Sequence, residues 1–254
     1  MLLAIDVGNT QTVLGVYDGA DLRHMWRVAT NKTHTADELR LKLMLLLESE
    51  NINTDEIHAS ALASVVPYLT REWGEALSYL LKKEVLVCSP ETAAKLFKTD
   101  YPNPAEIGSD RIADAVAASA LYGTPVVVVD FGTATNIEVI DKEGKFLGGI
   151  IAPGLETSAA ALFQHATRLA ATELEDPHEV IGTSTRRAIQ SGIVYGEAAR
   201  VDGLVLRAFD AIGYTAPVVA TGGLCQKVAP LSQTITHTNQ ELTLEGLRLI
   251  YEAQ

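Results

Sequence analysis

The chain has 254 residues, 47% of them hydrophobic and 20% charged, and a formal net charge of −12. This length suffices for one large domain or two small ones. The acidic balance argues against a nucleic-acid backbone or an anionic membrane as main partner, because both need clustered lysines and arginines. No apolar run approaches the roughly 20 residues of a membrane-spanning helix. Cys88 and Cys225 are too few for a disulfide framework, so we expect a reducing, cytoplasmic environment.

The first predicted element is a strand that leads into a tight turn and a returning strand. The turn is Asp6-Val7-Gly8-Asn9-Thr10, and a second apolar run follows it from Thr12 to Tyr17. A glycine lets the backbone approach an anion, and turn N–H groups can donate to phosphate oxygens. An aspartate at the mouth of such a turn can hold a divalent metal, directly or through water. One copy of this pattern indicates an ordinary hairpin equally well.

Helical and strand patterns then alternate as far as Gly123. In chain order we expect a helix opened by the capping box Thr35-Ala36-Asp37-Glu38, a strand over residues 59–66 and a helix capped by Thr70. A strand over residues 84–88 and a helix opened by Ser89 and Pro90 follow. An alanine-rich helix then begins after Gly108-Ser109-Asp110-Arg111 and ends at Gly123.

The second half begins with another hairpin of the same kind. Asp130-Phe131-Gly132-Thr133-Ala134-Thr135 follows the apolar strand 125–129 and leads into a second strand. Two copies in one chain weigh strongly against the ordinary-turn interpretation. We infer a duplicated α/β lobe with a nucleotide cleft between the copies, the lobes covering residues 1–123 and 124–254.

A third glycine-containing segment, Thr221-Gly222-Gly223, follows a predicted buried strand over residues 217–220. Adjacent glycines would let the chain pass flat against a base, a ribose or a phosphate, although a purely structural strand end fits as well. The other predicted elements of this half are a strand over residues 145–151, a helix around residues 158–169, a long helix from Ser184 to Gly213 and a final helix over residues 243–251.

These three segments resemble the phosphate-1, phosphate-2 and adenosine motifs of the superfamily of actin, sugar kinases and heat-shock chaperone ATPases. Further segments resemble type III pantothenate kinase: Ser64-Val65-Val66-Pro67, Gly108-Ser109-Asp110-Arg111, residues 148–154 and residues 242–247. The resemblance covers essentially the whole chain. One departure is Asn136-Ile137-Glu138, where the family more often has Thr-Phe-Asp. We expect this departure to affect packing more than chemistry.

The resemblance implies two actin-like (ribonuclease H-like) lobes and the ATP-dependent phosphorylation of pantothenate to 4'-phosphopantothenate, the first step of coenzyme A biosynthesis. Asp110 would be the general base. We expect Ser109 to cap the helix that follows and to place Asp110 in its first turn, where the helix dipole favours the ionised carboxylate. Arg111 would bind the pantothenate carboxylate bidentately, or it could pair with Asp114 on the surface.

The resemblance also implies the ligands of the remaining site residues. Those expected to bind ATP and its phosphates are Asp6, Val7, Gly8, Asn9, Thr10, Gln11, Thr12, Val13, Gly132, Thr133, Gly222 and Gly223. Those expected to bind pantothenate are Tyr101, Gly108, Ser109, Asp110, Arg111 and Thr185. Asp6 would hold Mg²⁺ through water, and Asp130 would support K⁺ or NH₄⁺.

We expect a homodimer that uses residues 148–154 and the helix after them, because its glycines and alanines permit close approach and Leu155, Leu162 and Phe163 supply apolar area. The same helix could instead pack inside its own lobe. Two other functions remain open: a phosphatase of the exopolyphosphatase type on the same fold, and a non-catalytic regulatory accessory protein. The presence of Asp6, Asp110 and Asp130 argues against the second.

Overall fold

The computed structural model describes residues 1–166 and 171–254. These residues form two compact units, the first containing Met1–Ala117 with Glu241–Gln254 and the second containing Ala118–Gln240. The final helix thus belongs to the first unit, whereas the division into duplicated lobes at 1–123 and 124–254 stays a prediction. The predicted end of the helix around residues 158–169 lies outside the described residues. In the described part of the chain, no helix is long and apolar enough to cross a membrane.

The elements up to the middle of the chain are β1 (Leu2–Val7), β2 (Gln11–Asp18), β3 (Asp21–Ala29), α1 (Ala36–Ser49), β4 (Ala59–Ser64), α2 (Pro67–Leu81), β5 (Val85–Val87), β6 (Lys98–Thr99) and α3 (Ser109–Tyr122). They are followed by β7 (Val126–Phe131), β8 (Ala134–Ile140), β9 (Lys145–Pro153), α4 (Leu155–His165), α5 (Thr185–Gln190), α6 (Gly196–Ile212), β10 (Val218–Thr221), α7 (Cys225–Val228), β11 (His237–Thr238) and α8 (Leu242–Glu252).

The two units repeat one sheet topology. In the first unit the strand order is β3-β2-β1-β4-β5, with β1, β2 and β3 antiparallel and with β4 parallel to β1. In the second unit β9, β8, β7, β10 and β11 are neighbours in the corresponding order, with β10 parallel to β7. The predicted α/β duplication is therefore confirmed. The glycine-containing segments follow the carboxyl ends of β1 in the first unit and of β7 and β10 in the second.

Local signals explain where several helices begin and end. The Thr35 hydroxyl accepts the Glu38 N–H while the Thr35 N–H donates to Glu38, so the predicted capping box is confirmed. Leu39, Leu43 and Leu47 then face the first core, as expected of positions four residues apart. Gly213 closes α6 with φ +80°, a left-handed conformation that suits glycine.

Four local features differ from the predictions. The helix predicted to begin at Thr70 begins at Pro67, where a proline loses no helical hydrogen bond. Residues 90–96 form turns rather than a helix, because Ser89 and Thr92 bond to each other's backbone N–H and offer the chain an alternative. Strand β3 was not predicted. The long helix from Ser184 contains a π-helical segment, Ser191–Tyr195, between α5 and α6.

Candidate functional site

The first hairpin holds Asp6 at the end of β1, paired with Val13 on β2 and Ala63 on β4. The Gly8 N–H closes the turn by donating to the Gln11 carbonyl at 3.0 Å. A Cβ on Gly8 would lie 2.9 Å from that same oxygen, so a larger residue would force the turn open. Asn9 and Thr10 are exposed at its tip. The turn therefore combines a hydrogen-bonded, crowded base with an exposed tip.

The segment after β3 packs over this turn. The Thr30 N–H donates to the Thr10 carbonyl at 2.9 Å, and the hydroxyls of Thr30 and Thr12 are 2.9 Å apart. Lys32 donates from Nζ to Asn9 Oδ1 at 3.0 Å. Sequence reasoning missed Lys32; the pairing of β3 with β2, had it been predicted, would have placed residues 30–32 beside the turn.

The first residue of α3, Ser109, is hydrogen-bonded to the last residue of β4, Ser64. The Ser109 hydroxyl accepts the Ser64 N–H at 2.8 Å and donates to the Ser64 carbonyl at 3.1 Å. The prediction that Ser109 caps its own helix is therefore wrong, because the hydroxyl is bonded to the strand. Gly108 precedes the helix, and its carbonyl accepts the Ile112 N–H. A Cβ on Gly108 would lie 2.5 Å from Asp110 Oδ1.

Asp110 lies in the first turn of α3, as predicted, but its protonation differs from the expectation. Burial raises the pKa of the Asp110 carboxyl, and the N–H and the charge of Arg111 only partly offset this effect. The Arg111 N–H donates to Asp110 Oδ1 at 2.8 Å. The expectation that the helix start favours the ionised form is therefore wrong in direction, because desolvation outweighs the helix terminus.

Cys88 packs beside this helix start and donates from Sγ to the Ser109 carbonyl at 3.4 Å. Burial, with the charges of Asp110, Asp6 and Asp114, raises the pKa of the Cys88 thiol to about 12. Cys88 is thus a buried thiol. Since Asp6 and Asp110 both act on it electrostatically, the phosphate hairpin and the helix start lie in one region of the first unit.

Helix α8 packs against the first half of α3. A Cβ on Gly246 would lie 2.0 Å from the Ala113 carbonyl, so the two helices touch through their backbones. The Thr243 hydroxyl donates to the buried Asp114 carboxylate at 2.7 Å. Arg111 is half-buried one turn earlier, and Tyr101 is exposed with its N–H bonded to the Thr99 hydroxyl at 3.0 Å.

The second hairpin holds Asp130 at the end of β7, paired with Asn136 on β8 and Thr221 on β10. The Gly132 N–H closes the turn on the Ala134 carbonyl at 3.0 Å. Gly222 follows β10 with φ +87°, and a Cβ there would lie 2.3 Å from Asp130 Oδ1 and 2.6 Å from the Phe131 carbonyl. The Gly222 segment thus packs directly on the second hairpin, so the structure brings these two predicted pieces together.

The two predicted metal positions have different donor sets. The described residues contain no group of three or more His, Cys, Asp and Glu side chains that could hold a metal ion. Mg²⁺ usually keeps several waters and takes one or two carboxylates with substrate phosphates, and a half-buried Asp6 beside an exposed turn fits that use. Asp130 Oδ1 and the Phe131 carbonyl lie side by side against Gly222, and a carboxylate with a carbonyl oxygen is a donor pair that fits a monovalent cation.

Thr185 lies apart from the hairpins in sequence, as the first residue of α5. The helix is capped by Ser184, whose hydroxyl accepts the Arg187 N–H at 3.3 Å, and Thr185 itself is exposed. Gly223 follows Gly222 directly after β10. Within the second unit, Asp130, Gly132, Thr133 and Gly222 therefore form the compact part of the site.

Solved structures share this fold at low sequence identity. A conserved putative Baf family transcriptional activator from Campylobacter jejuni aligns with a TM-score of 0.61 and 22% identity, covering 99% of this chain and 98% of that one. A ROK hexokinase from Thermus thermophilus aligns with a TM-score of 0.51 and 16% identity over 100% and 99% of the two chains. These likenesses establish the actin-like ATPase and sugar-kinase fold.

Sequence relatives are more specific. A family model described as type III pantothenate kinase matches residues 2–207. A type III pantothenate kinase from Anaeromyxobacter sp. is 42% identical over 254 residues, covering 99% of both chains. Another, from Moorella thermoacetica, is 44% identical over 252 residues and also covers 99% of both. The chain belongs to the type III pantothenate kinase family.

Proposed function

We propose that Asp110 is the general base with which this chain phosphorylates pantothenate from ATP, the first step of coenzyme A biosynthesis. The observation that carries this assignment is a carboxylate of raised pKa at the start of α3, in the same region of the first unit as the phosphate hairpin. Perturbed carboxylates beside a ligand-binding turn are candidates for acid–base work.

The surroundings of Asp110 suit proton transfer. A carboxylate with a raised pKa is a stronger base than an ordinary aspartate and accepts a proton more readily. Because phosphoryl transfer passes through a loose transition state, the base mainly orients the hydroxyl and accepts its proton late. Gly108 keeps the space beside Oδ1 clear, and the two Ser109–Ser64 hydrogen bonds fix the helix start.

The first hairpin binds the ATP phosphates. Residues 9–11 expose the turn to a ligand, Asp6 would hold Mg²⁺ through water, and Lys32 adds a positive charge beside Asn9. Bound Mg²⁺ neutralises charge that develops on the phosphates. In a chain of net charge −12, such local cations are needed to attract a polyphosphate.

The second hairpin serves the monovalent cation and the nucleotide. Asp130 and the Phe131 carbonyl supply oxygens for K⁺ or NH₄⁺, Thr133 contacts ATP, and Gly222 with Gly223 lies along the nucleoside. Pantothenate is bound by Tyr101, by residues 108–111 and by Thr185, and Arg111 binds its carboxylate bidentately. Cys88 and Cys225 are both free and buried, in keeping with a reducing cytoplasm.

The active form is a homodimer built on α4 and the outer face of β9. Leu155 and Ala159 pack into their own unit, but Leu162 is 38% exposed on the same helix and Ile151 is 66% exposed on β9. A stable interface of this kind buries about 1,200–2,000 Å² in total. Leu162→Glu should yield a monomer in sedimentation at micromolar concentration and lose activity; an active monomeric wild type would contradict the dimer.

A coupled assay of ADP release tests the reaction itself. The chain should release ADP only when pantothenate is present, and the organic product should be 4'-phosphopantothenate by mass spectrometry. Steady ATP consumption without pantothenate would instead support a phosphatase.

A further inference from the structure

An ion pair lies behind the second hairpin, with Glu197 buried and the Arg200 side chain 30% exposed. Glu197, 3% exposed in the first turn of α6, accepts the Thr135 hydroxyl at 2.6 Å on Oε1. Arg200, one turn later, donates from Nη2 to Glu197 Oε2 and, at 2.5 Å, to the Pro153 carbonyl. The pair thus connects α6 to the start of β8 and the end of β9.

Both of these connections lie next to the hairpin turn. Thr135 is the first paired residue after the turn, opposite Phe131, and Pro153 pairs with Ala134. Directly after Pro153, the Gly154 N–H donates to the Thr133 carbonyl at 3.1 Å, and a Cβ on Gly154 would lie 2.4 Å from the Gly132 carbonyl.

Thr157 continues the same contact from α4. Its hydroxyl donates to the Thr133 carbonyl at 2.6 Å. A shift of Pro153 would therefore pass through Gly154 to the peptide of Thr133 without any flexible segment between them.

Stability alone gives a weak reason for this arrangement. Taking the Glu197 carboxylate out of water costs free energy that its ion pair only offsets, so a well-packed apolar pair of similar volume would often stabilise the protein as much. In the described part of the chain, Arg200 Nε is buried and has no acceptor, which is a further cost. Polar groups kept under such conditions are candidates for a role in geometry rather than in the free energy of unfolding.

We infer that Glu197 and Arg200 are positioning residues that hold the Gly132–Thr133 turn in the geometry required to bind and transfer the ATP phosphates. The inference rests on the proposed role of the second hairpin in ATP binding. The carboxylate fixes the entry to β8 through Thr135, and the guanidinium fixes the exit of β9 through Pro153. The Gly132–Thr133 turn lies directly before β8 and contacts Gly154 directly after β9, so it then has little freedom to move.

The test replaces the pair with apolar residues of similar size, Glu197→Leu with Arg200→Met. Since the change removes both charges together, the variant should fold with a thermal midpoint close to that of the wild type. We expect kcat/KM for ATP to fall on the order of 10- to 100-fold, the effect of a displaced positioning group. KM for pantothenate should change little.

A matched control is available on α8. Arg248, 7% exposed, pairs with Glu245 at the same spacing in the first unit. Glu245→Leu with Arg248→Met should leave KM for ATP within about twofold of the wild type, an interval close to additivity error. Thr135→Val, which removes a single hydroxyl, should raise KM for ATP by a smaller factor and keeps the test valid if the double variant does not fold.

The Thr133→Ala variant separates the proposed role of the hairpin in ATP binding from the proposed role of the ion pair in positioning it. An unchanged KM for ATP in Thr133→Ala would reject the proposed role of the hairpin itself. If Thr133→Ala weakens ATP binding while Thr135→Val and the folded double variant keep wild-type kinetics, the ion pair is only structural and the inference is overturned.

Discussion

The two hairpins share a strand order but are supported in opposite ways. In the first, the paired residues Val7 and Thr12 enclose residues 8–11, and the contacts with Thr30 and Lys32 lie partly at the surface. In the second, Phe131 and Thr135 enclose only residues 132–134, one residue fewer, and the support comes from the interior through Glu197 and Gly222. Equal topology therefore does not imply equal rigidity: we expect the first turn to adapt to its ligand and the second to be fixed beforehand.

The largest effect should come from the first unit. Asp110→Asn preserves the acceptor for the Arg111 N–H but removes the base, so kcat should fall about 10²–10⁴-fold. ATP binding, measured by calorimetry without pantothenate, should be retained. Near-normal turnover would show that Asp110 only stabilises the helix start.

The same variant has a predictable effect on stability. Because burial raises the folded-state pKa of Asp110, the folded protein binds a proton more tightly than the unfolded chain does, and stability falls as pH rises from about 3.9 through that raised value. Above the unfolded-state pKa, the buried Asp110 carboxyl therefore destabilises the folded protein relative to a neutral side chain. Asp110→Asn should raise the melting temperature at pH 7 and lose this gain at low pH; a lower melting temperature at pH 7 would contradict the assigned pKa direction.

The second unit should make the reaction rate depend on the monovalent cation in the buffer. Replacing KCl with NaCl at fixed Mg²⁺ should depress the rate severely, because smaller Na⁺ is more tightly hydrated, and Asp130→Asn should abolish the difference between the salts. Asp110→Asn, by contrast, should keep the same ratio of residual rates. Equal wild-type rates in both salts would reject the cation site.

A glycine pair tests how firmly the second hairpin is held. Gly222 and Gly213 both have positive φ, but only at Gly222 would a Cβ meet other atoms. Gly213→Ala should cost about 1–2 kcal/mol of stability from backbone strain alone, and Gly222→Ala roughly 2–4 kcal/mol with loss of the K⁺ response. Chemical denaturation measures the loss of unfolding free energy in each variant. Equal losses in the two variants would mean that the contact between Gly222 and Asp130 is loose.

The smallest expected difference compares the two turn glycines. A Cβ would lie 2.9 Å from the Gln11 carbonyl at Gly8, but 3.5 Å from the Ala134 carbonyl at Gly132. Gly8→Ala should therefore destabilise the protein by about 1–3 kcal/mol, and Gly132→Ala by less than about 1 kcal/mol. The reverse order would overturn the view that the first turn is the more crowded at its base.

Sequence reasoning succeeded where the signal is local. The Asp–Gly turns, the capping box at Thr35 and the glycine that ends α6 each depend on a few consecutive residues, and the structure has all of them. It failed where partners are distant. Ser109 bonds to a strand 45 residues earlier, Glu197 to a residue 62 positions earlier, and the pKa of Asp110 depends on burial. No periodicity in the sequence carries such information.

The contact between Gly246 and Ala113 has a consequence for how the protein is made. Helix α3, which carries Asp110, rests on α8, yet the ribosome synthesises all of the second unit between the two. While residues 118–240 emerge, the surface of α3 that receives α8 stays uncovered. The first unit therefore cannot be completed in the order of translation, and a nascent chain that stalls before residue 242 would lack the helix that packs against the first half of α3.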